Sequence, residues 1–168
     1  MIELYVLRHA IAVPRGTPGF KRDSQRPLTA KGEKKMWRIA AGMKQMGLSF
    51  DLILSSPYVR AMRTAEIVAK TFKATKLLKD SADLEADGDP ALLIESLNGL
   101  FKSAKKIVIV GHEPYLSRLI SMLVAGHARM SLTLKKGGLC QLMADSLRYG
   151  RCATLEWLLT PRQMTARG

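Results

Sequence analysis

Short apolar runs alternate along this chain with longer stretches in which apolar residues recur every three or four positions. The first pattern reads as buried strand and the second as amphipathic helix. Glu3 to Leu7 predicts a first strand, Asp51 to Leu54 a second and Lys106 to Val110 a third, the last with Ile107, Val108, Ile109 and Val110 all β-branched. Leu139 to Met143 and Thr154 to Leu159 read as two late strands joined by a polar turn around Arg148 to Gly150. Thr29 predicts the N-cap of a helix reaching Met46, with Met36, Ile39, Ala40 and Met43 on its apolar face and Gly47 as its stop. Ser56 predicts a second cap, with Pro57 at the first helical position and Tyr58, Met62, Ala65, Ala69 and Phe72 forming one stripe. Asp89-Pro90 opens a helix with Leu93, Leu97, Leu100 and Phe101 turned inward; Pro114 opens another with Leu116, Leu119, Ile120 and Leu123 inward. Ile11 to Pro27 and the acidic stretch Asp80 to Asp89 read as loops, and Pro161 to Gly168 as a loose tail.

Strands alternating with helices predict an α/β domain, a sheet layered with helices. No repeat, low-complexity stretch or Pro/Gly linker divides the chain, and 168 residues suit one core. We therefore expect one domain over residues 1–160, with 161–168 as a flexible C-terminal tail. The apolar runs fall far short of the roughly 20 residues that span a bilayer. The start, Met1-Ile2-Glu3-Leu4, lacks the basic and long apolar regions of a signal peptide. The expectation is a cytoplasmic protein with no membrane partner, with Cys140 and Cys152 as buried, reduced thiols.

A formal net charge of +13 changes the picture more than composition does. It predicts attraction to anions: a phosphorylated substrate, an acidic partner or nucleic acid. The bland alternative is a solvated basic surface. The lysines and arginines are spread along the chain without a dense basic arm or a nucleic-acid motif, so nucleic acid is the less favoured partner.

Candidate chemistry gathers where strands end. Leu7 is followed by Arg8-His9, Leu54 by Ser55-Ser56-Pro57 and then Arg60, and Val110 by Gly111-His112-Glu113-Pro114. In a parallel α/β sheet, ligands bind beyond the carboxyl ends of the strands. Such a sheet would bring Arg8, His9, Arg60 and His112 to one concave point, with Arg60 in the first turn of its helix, where the dipole also favours an anion. Two guanidiniums and two imidazoles suit phosphoryl transfer. Arginine forks neutralise phosphoryl oxygens, and a neutral histidine can attack phosphorus and carry the group covalently. An Arg-His or Gly-His pair alone would be structural more often than not; it is their joint placement that points to catalysis.

These residues also carry a resemblance. Leu7-Arg8-His9-Ala10, Ser55-Ser56-Pro57-Tyr58-Val59-Arg60-Ala61 with Thr64-Ala65-Glu66, and Val108-Ile109-Val110-Gly111-His112-Glu113-Pro114 resemble the three motifs of the histidine phosphatase superfamily. Arg26-Pro27-Leu28-Thr29 with Gly32 resembles the SixA-type phosphohistidine phosphatases, and the likeness runs from about Leu4 to Leu123. The resemblance implies a single-domain three-layer α/β/α sandwich with a mostly parallel central sheet, phosphoglycerate mutase-like. It implies that His9 attacks phosphorus, that Arg8, Arg60 and His112 bind the phosphoryl oxygens, that Arg26 adds a contact from the loop, and that no metal or other cofactor is required. For the general acid it points to the acidic loop, with Glu85 and then Asp83 as the leading candidates and Asp23, in the first loop, as a third. Ala10 stands where relatives often have Gly, and Arg63 where many have Gln; Arg63 is expected to point to solvent rather than to the pocket rim. The implied substrate is a phosphohistidine-bearing protein, such as a phosphotransfer domain, or a small phosphorylated molecule. An imidazole leaves with less need of a proton than an alkoxide does, so a poorly defined acid leans towards phosphohistidine. A short chain with few residues for a lid leans the same way.

Other chemistries fit poorly. His9, His112 and His127 show no His-x-x-x-His spacing, there is no Cys-x-x-Cys, and His127 beside Gly126 reads as an exposed bystander. No Gly-x-x-x-x-Gly-Lys-Ser/Thr occurs. A cysteine phosphatase would need Arg six residues after its Cys, where this chain has Ser146 and Leu158. The remaining alternatives are a phosphatase of small phosphate esters and a basic phosphate- or nucleic-acid-binding module with vestigial catalysis.

Overall fold

A computed structural model of the chain describes residues 1–166. A six-stranded sheet in the order β3-β2-β4-β1-β5-β6 forms its middle layer. The strands are β1 (Ile2–Arg8), β2 (Leu52–Ser55), β3 (Leu78–Asp80), β4 (Lys106–Gly111), β5 (Leu139–Ala144) and β6 (Ala153–Leu159). The pairings among β3, β2, β4 and β1 are parallel; β5 runs antiparallel to both β1 and β6.

Helices α1 (Ala30–Gln45), α2 (Val59–Thr71) and the short α5 (Pro161–Thr165) cover one face, and α3 (Pro90–Gly99) and α4 (Tyr115–Ala125) the other. Strand alternation explains why both faces are apolar. Leu4, Val6, Ile107 and Ile109 pack with Leu93, Leu116 and Leu119 on one side, while Tyr5, Leu7, Val108 and Val110 pack with Met36, Ile39 and Val68 on the other. The result is the three-layer sandwich with a mostly parallel sheet that the sequence led us to expect.

The cap at Thr29 forms as expected, its side chain accepting from Gly32 N–H, and α3 opens at Asp89-Pro90 as expected, with the Asp89 side chain accepting from Ala91 N–H. Four local expectations fail, each for a physical reason. Ser56 does not cap α2. That helix begins at Val59, with Pro57 outside it, because the Ser56 hydroxyl is engaged by His112 and Tyr58. Leu100 is 82% exposed, because α3 ends at Gly99 and leaves its stripe. The segment before the acidic loop contains the edge strand β3, whose three residues are too few for periodicity to register. The tail is no loose end over Pro161–Thr165: Thr160 caps α5, and Met164 is buried against α1. Arg167 and Gly168 lie outside the described residues.

Cys140 is buried and Cys152 half-buried, and neither is bridged. Burial pushes the Cys140 thiol up to about 12. No helix among the described residues is long and apolar enough to cross a membrane.

Register and handedness then place a crevice. Arg8 pairs with Gly111 across β1 and β4, and Ser55 with Val110 across β2 and β4. Adjacent β1 and β4 send their following helices, α1 and α4, to opposite faces of the sheet. Their carboxyl ends therefore flank the gap where open α/β sheets receive ligands.

Candidate active site

His9 leaves the end of β1 and His112 the end of β4. A bond from His9 N–H to Gly111 O (3.0 Å) fixes the two segments side by side. The imidazole centroids lie 5.3 Å apart. Arg8 and His112, with His9 and Arg60, line one cavity of about 300 Å³. Arg15, Arg26, Glu113 and Lys136 also contribute to its wall. All four residues expected to converge do so, although they come from the ends of β1 and β4 and the first turn of α2.

The state of each imidazole follows from its partners. His9 Nδ1 lies 2.7 Å from Ala10 O, and a carbonyl can only accept. Nδ1 therefore carries the proton, and the lone pair sits on Nε2. Arg60 Nε donates to that same Nε2 at 3.3 Å. Burial pushes His9 down to about 3, reinforced by His112, Arg60 and Arg8 and opposed by the Ala10 carbonyl. His112 is likewise pushed down to about 3, by burial first and then by Arg60. Both rings are neutral near pH 7.

His112 Nε2 lies 2.8 Å from Ser56 Oγ. Tyr58 N–H donates to the same oxygen, at 3.2 Å. With the Ser56 hydroxyl donating to Nε2, the neutral ring carries its proton on Nδ1. Among the described residues, His112 Nδ1 and Arg8 Nε are the buried side-chain polar atoms without a protein partner. Each unmatched buried donor costs about 1–3 kcal/mol. Both belong to residues that line the cavity.

Arg8 is steadied from the far side by Leu134 O, which accepts from Nη1 at 3.0 Å. Arg60 is fixed at three atoms. Besides the contact to His9, its Nη1 donates to Asp23 O (2.7 Å) and its Nη2 to Asp23 Oδ2 (2.9 Å). Asp23 Oδ1 also accepts from Arg26 Nε (2.9 Å), and Arg15 Nε lies 3.4 Å away. Burial alone would raise the Asp23 carboxyl, but the hydrogen bonds from Arg60 and Arg26 outweigh it and hold the group below the usual carboxylate range. Burial lowers Arg60, and Asp23 opposes that. Thr64 completes the frame: its hydroxyl donates to Arg60 O (2.7 Å) and accepts from Ala10 N–H (3.1 Å), tying α2 to the segment after β1.

The three acid candidates fare differently. Asp83 turns towards Ser81 and Ser96, at 3.5 and 3.2 Å, and away from the cavity. Glu85 is half-buried but outside the cavity wall; its neighbour Ala86 lines the wall instead. Asp23 is close but is occupied by guanidiniums. The carboxylate in the wall is Glu113, which sequence reasoning did not single out although it follows His112 directly. Glu113 Oε1 accepts from Ser117 N–H at 2.7 Å at the start of α4. Ser56, Thr64 and Lys136 were also missed as site components. Ser56 and Thr64 lay within a noted motif, whereas Lys136 gave no sequence signal.

Arg26 reaches the wall, but much of its hydrogen bonding goes to Asp23 and to Val13 O (2.6 Å). Arg63 points neither to open solvent nor to the rim. It bridges α1 and α2 through Glu33 and Glu66. His127 is exposed, as expected. Among the described residues, no group of three or more His, Cys, Asp or Glu is placed to hold a metal ion.

Comparisons with known proteins agree with this geometry. A family model described as the histidine phosphatase superfamily (branch 1) matches residues 4–85. An uncharacterized protein of Picosynechococcus sp. is 34% identical over 149 residues, covering 88% of each chain. Among solved structures, the protein histidine phosphatase SixA complexed with tungstate superposes with a TM-score of 0.81 at 22% identity, covering 97% of this chain and 99% of that one. A phosphoserine phosphatase of Entamoeba histolytica in complex with 3-phosphoglyceric acid gives 0.73 at 18% identity, covering 98% and 100%. At these identities the structural likeness speaks for the fold.

Proposed function

The chain belongs to the histidine phosphatase superfamily, and from that membership and the site geometry we propose that it is a phosphohistidine phosphatase with His9 as its nucleophile. The observation that carries this reading is the convergence of Arg8, His9, Arg60 and His112 on one cavity, with Arg8 Nε and His112 Nδ1 buried and, among the described residues, without a protein partner. A phosphoryl group there supplies an electrophile for His9 and oxygen acceptors for the guanidiniums and the second imidazole.

In this mechanism Arg8, Arg60 and the His112 Nδ1–H donate to the phosphoryl oxygens, and Arg26 and Lys136 add positive potential at the wall. His9 Nε2 attacks phosphorus as the bond from phosphorus to the substrate's imidazole nitrogen breaks. The substrate's ring, already protonated at its other nitrogen, departs as neutral imidazole and needs no further proton. One water then attacks the phosphoryl group on His9; both its protons leave with the phosphate, and the electron pair of the breaking bond returns to His9 as a neutral ring. The positive charge that His9 gains in the intermediate is offset by the charge of the phosphoryl group and by the Ala10 carbonyl on Nδ1.

The leaving group is inferred from the carboxylates. Asp23 is ionised and paired, and Glu113 is engaged by Ser117 N–H. A site without a dedicated proton donor suits an imidazole, whose conjugate acid has a pKa of roughly 6.5, better than an alkoxide. The free thiols of Cys140 and Cys152 suit the reducing cytoplasm. One observation favours a second reading: Glu113 does line the cavity, and a small phosphate ester could take its proton there.

Phosphate release from a phosphohistidine peptide and from a matched phosphoserine peptide tests the choice. The expected result is preference for phosphohistidine, with an acid-labile, base-stable phosphoryl label on the wild type and neither label nor turnover in His9→Ala. Preference for the serine ester transfers the assignment to the second reading; equal release by His9→Ala removes the enzyme reading altogether.

A further inference from the structure

Residues 13–27 build a second hollow beside the first. Antiparallel pairing of Ala12 with Leu28 closes the base of this loop, and Val13 N–H donates to Pro27 O at 2.9 Å. Two successive turns, Thr17 N–H to Pro14 O (3.2 Å) and Phe20 N–H to Thr17 O (3.3 Å), fold the loop on itself. The hollow measures about 430 Å³ and is walled by Arg15, Gly16, Phe20, Lys21, Asp23 and Arg26. Arg15 and Arg26 belong to both walls, so the hollow adjoins the cavity that contains His9.

Its charges are not balanced internally. The Asp23 carboxylate is shared between Arg60 and Arg26, and Arg26 gives its remaining Nη1 donor bond to Val13 O. Arg15 touches Asp23 through Nε alone, and its side chain is 79% exposed. Lys21 is exposed and, among the described residues, has no hydrogen-bond or ion-pair partner. Two cations therefore face the hollow with donors to spare, next to the ring of Phe20. That this wall receives a carboxylate is visible already, since Asp23 occupies its inner side.

We propose that this hollow is an anion subsite for a second acidic group of the substrate, a carboxylate carried on the leaving-group side of the scissile phosphoryl bond. Its carrier rests on the reading above: an acidic side chain flanking the phosphohistidine of a partner protein. Arg15 and Lys21 receive the carboxylate, and Phe20 packs on the aliphatic stem beneath it. The subsite thereby selects among phosphorylated proteins, while the His9 cavity performs the same chemistry on each.

Two arms test this at fixed ionic strength. In the first, 3-phosphonopropionate and propylphosphonate compete against hydrolysis of para-nitrophenyl phosphate. They share the phosphonate and differ in the carboxylate. The wild type is expected to bind the carboxylate form about tenfold more tightly, the effect of about one charge-assisted hydrogen bond. The preference should fall to about twofold or less in Arg15→Gln/Lys21→Gln, reverse in Lys21→Glu, and persist in Lys102→Gln, an exposed site just before β4 at the opposite end of the sheet. In the second arm, phosphohistidine peptides with Glu or Gln beside the phosphorylated residue are compared by kcat/KM, and the ratio should follow the same pattern across the variants. Absence of any preference in the wild type overturns the proposal, as does its survival in the double variant or its equal loss in Lys102→Gln. If no phosphohistidine peptide is turned over, the functional reading fails while the phosphonate arm still decides the subsite. A preference seen with phosphonates but not with peptides assigns the carboxylate to a small ester instead.

Discussion

Acidification from pH 7 to pH 5 should strip the folded protein of about 4 kcal/mol, and the reason is confined to two side chains. His9 and His112 are 6% and 2% exposed, and each is pushed down to about 3 in the folded chain. Unfolded, a histidine titrates near 6.5. The native state therefore resists protons that the unfolded state accepts. The stability contributed by the neutral rings is fully present above about pH 6.5 and is lost progressively as the pH falls towards 3. Integrating between pH 7 and pH 5 gives about 2 kcal/mol for each ring. Domains of this size are stable by about 5–15 kcal/mol, so the loss is a large fraction of the total. With a urea m-value of about 2 kcal/mol/M, the midpoint should fall by about 2 M. His127, by contrast, is exposed. Urea unfolding at the two pH values, followed by circular dichroism, measures the shift. A His9→Asn/His112→Asn variant should lose most of it, and His127→Asn should keep it. Equal wild-type midpoints at pH 7 and pH 5, or an undiminished shift in the double variant, would refute the claim that these rings are held neutral by burial.

Asp23→Asn should lower kcat/KM about ten- to hundredfold by releasing Arg60, with no loss of the basic limb of the pH–rate profile; disappearance of that limb would identify Asp23 as the proton donor instead. Ser56→Ala leaves His112 Nε2 and Tyr58 N–H without their partner and should cut kcat by about tenfold and lower the thermal midpoint by several degrees, which steady-state kinetics and calorimetry together would show. Gly42→Ala should lower the thermal midpoint by several degrees, a cost of about 1–3 kcal/mol, because a Cβ there would stand 2.1 Å from Met164 O; an unchanged midpoint would mean that α5 does not dock on α1. His9→Ala should abolish turnover while leaving a folded protein by circular dichroism.

The layers, the main strands and the residues gathered in the candidate site were legible in the sequence because each is written locally. Ile107 to Val110 is apolar at every position, as a strand covered on both faces must be, and Thr29 and Asp89 mark helix starts with their own side chains. Arg8-His9, Arg60 and Gly111-His112 stand immediately after strand-forming runs, so any parallel sheet would gather them. What each residue does beyond that depended on partners distant along the chain. Asp23 stands third among the acid candidates in the sequence, whereas in the fold Arg60, 37 residues away, occupies its carboxylate. Ser56 looked like a helix cap because that is what serine before proline usually does; only the arrival of His112 from β4 turned it into a ring support. Glu113 and Lys136 reach the wall through the register of β4 and the fold of the segment before β5, which no periodicity records. The chain alone thus determined which chemistry was available. Tertiary structure decided which atoms were already spoken for, since hydrogen bonding and desolvation depend on neighbours brought together by packing rather than by sequence.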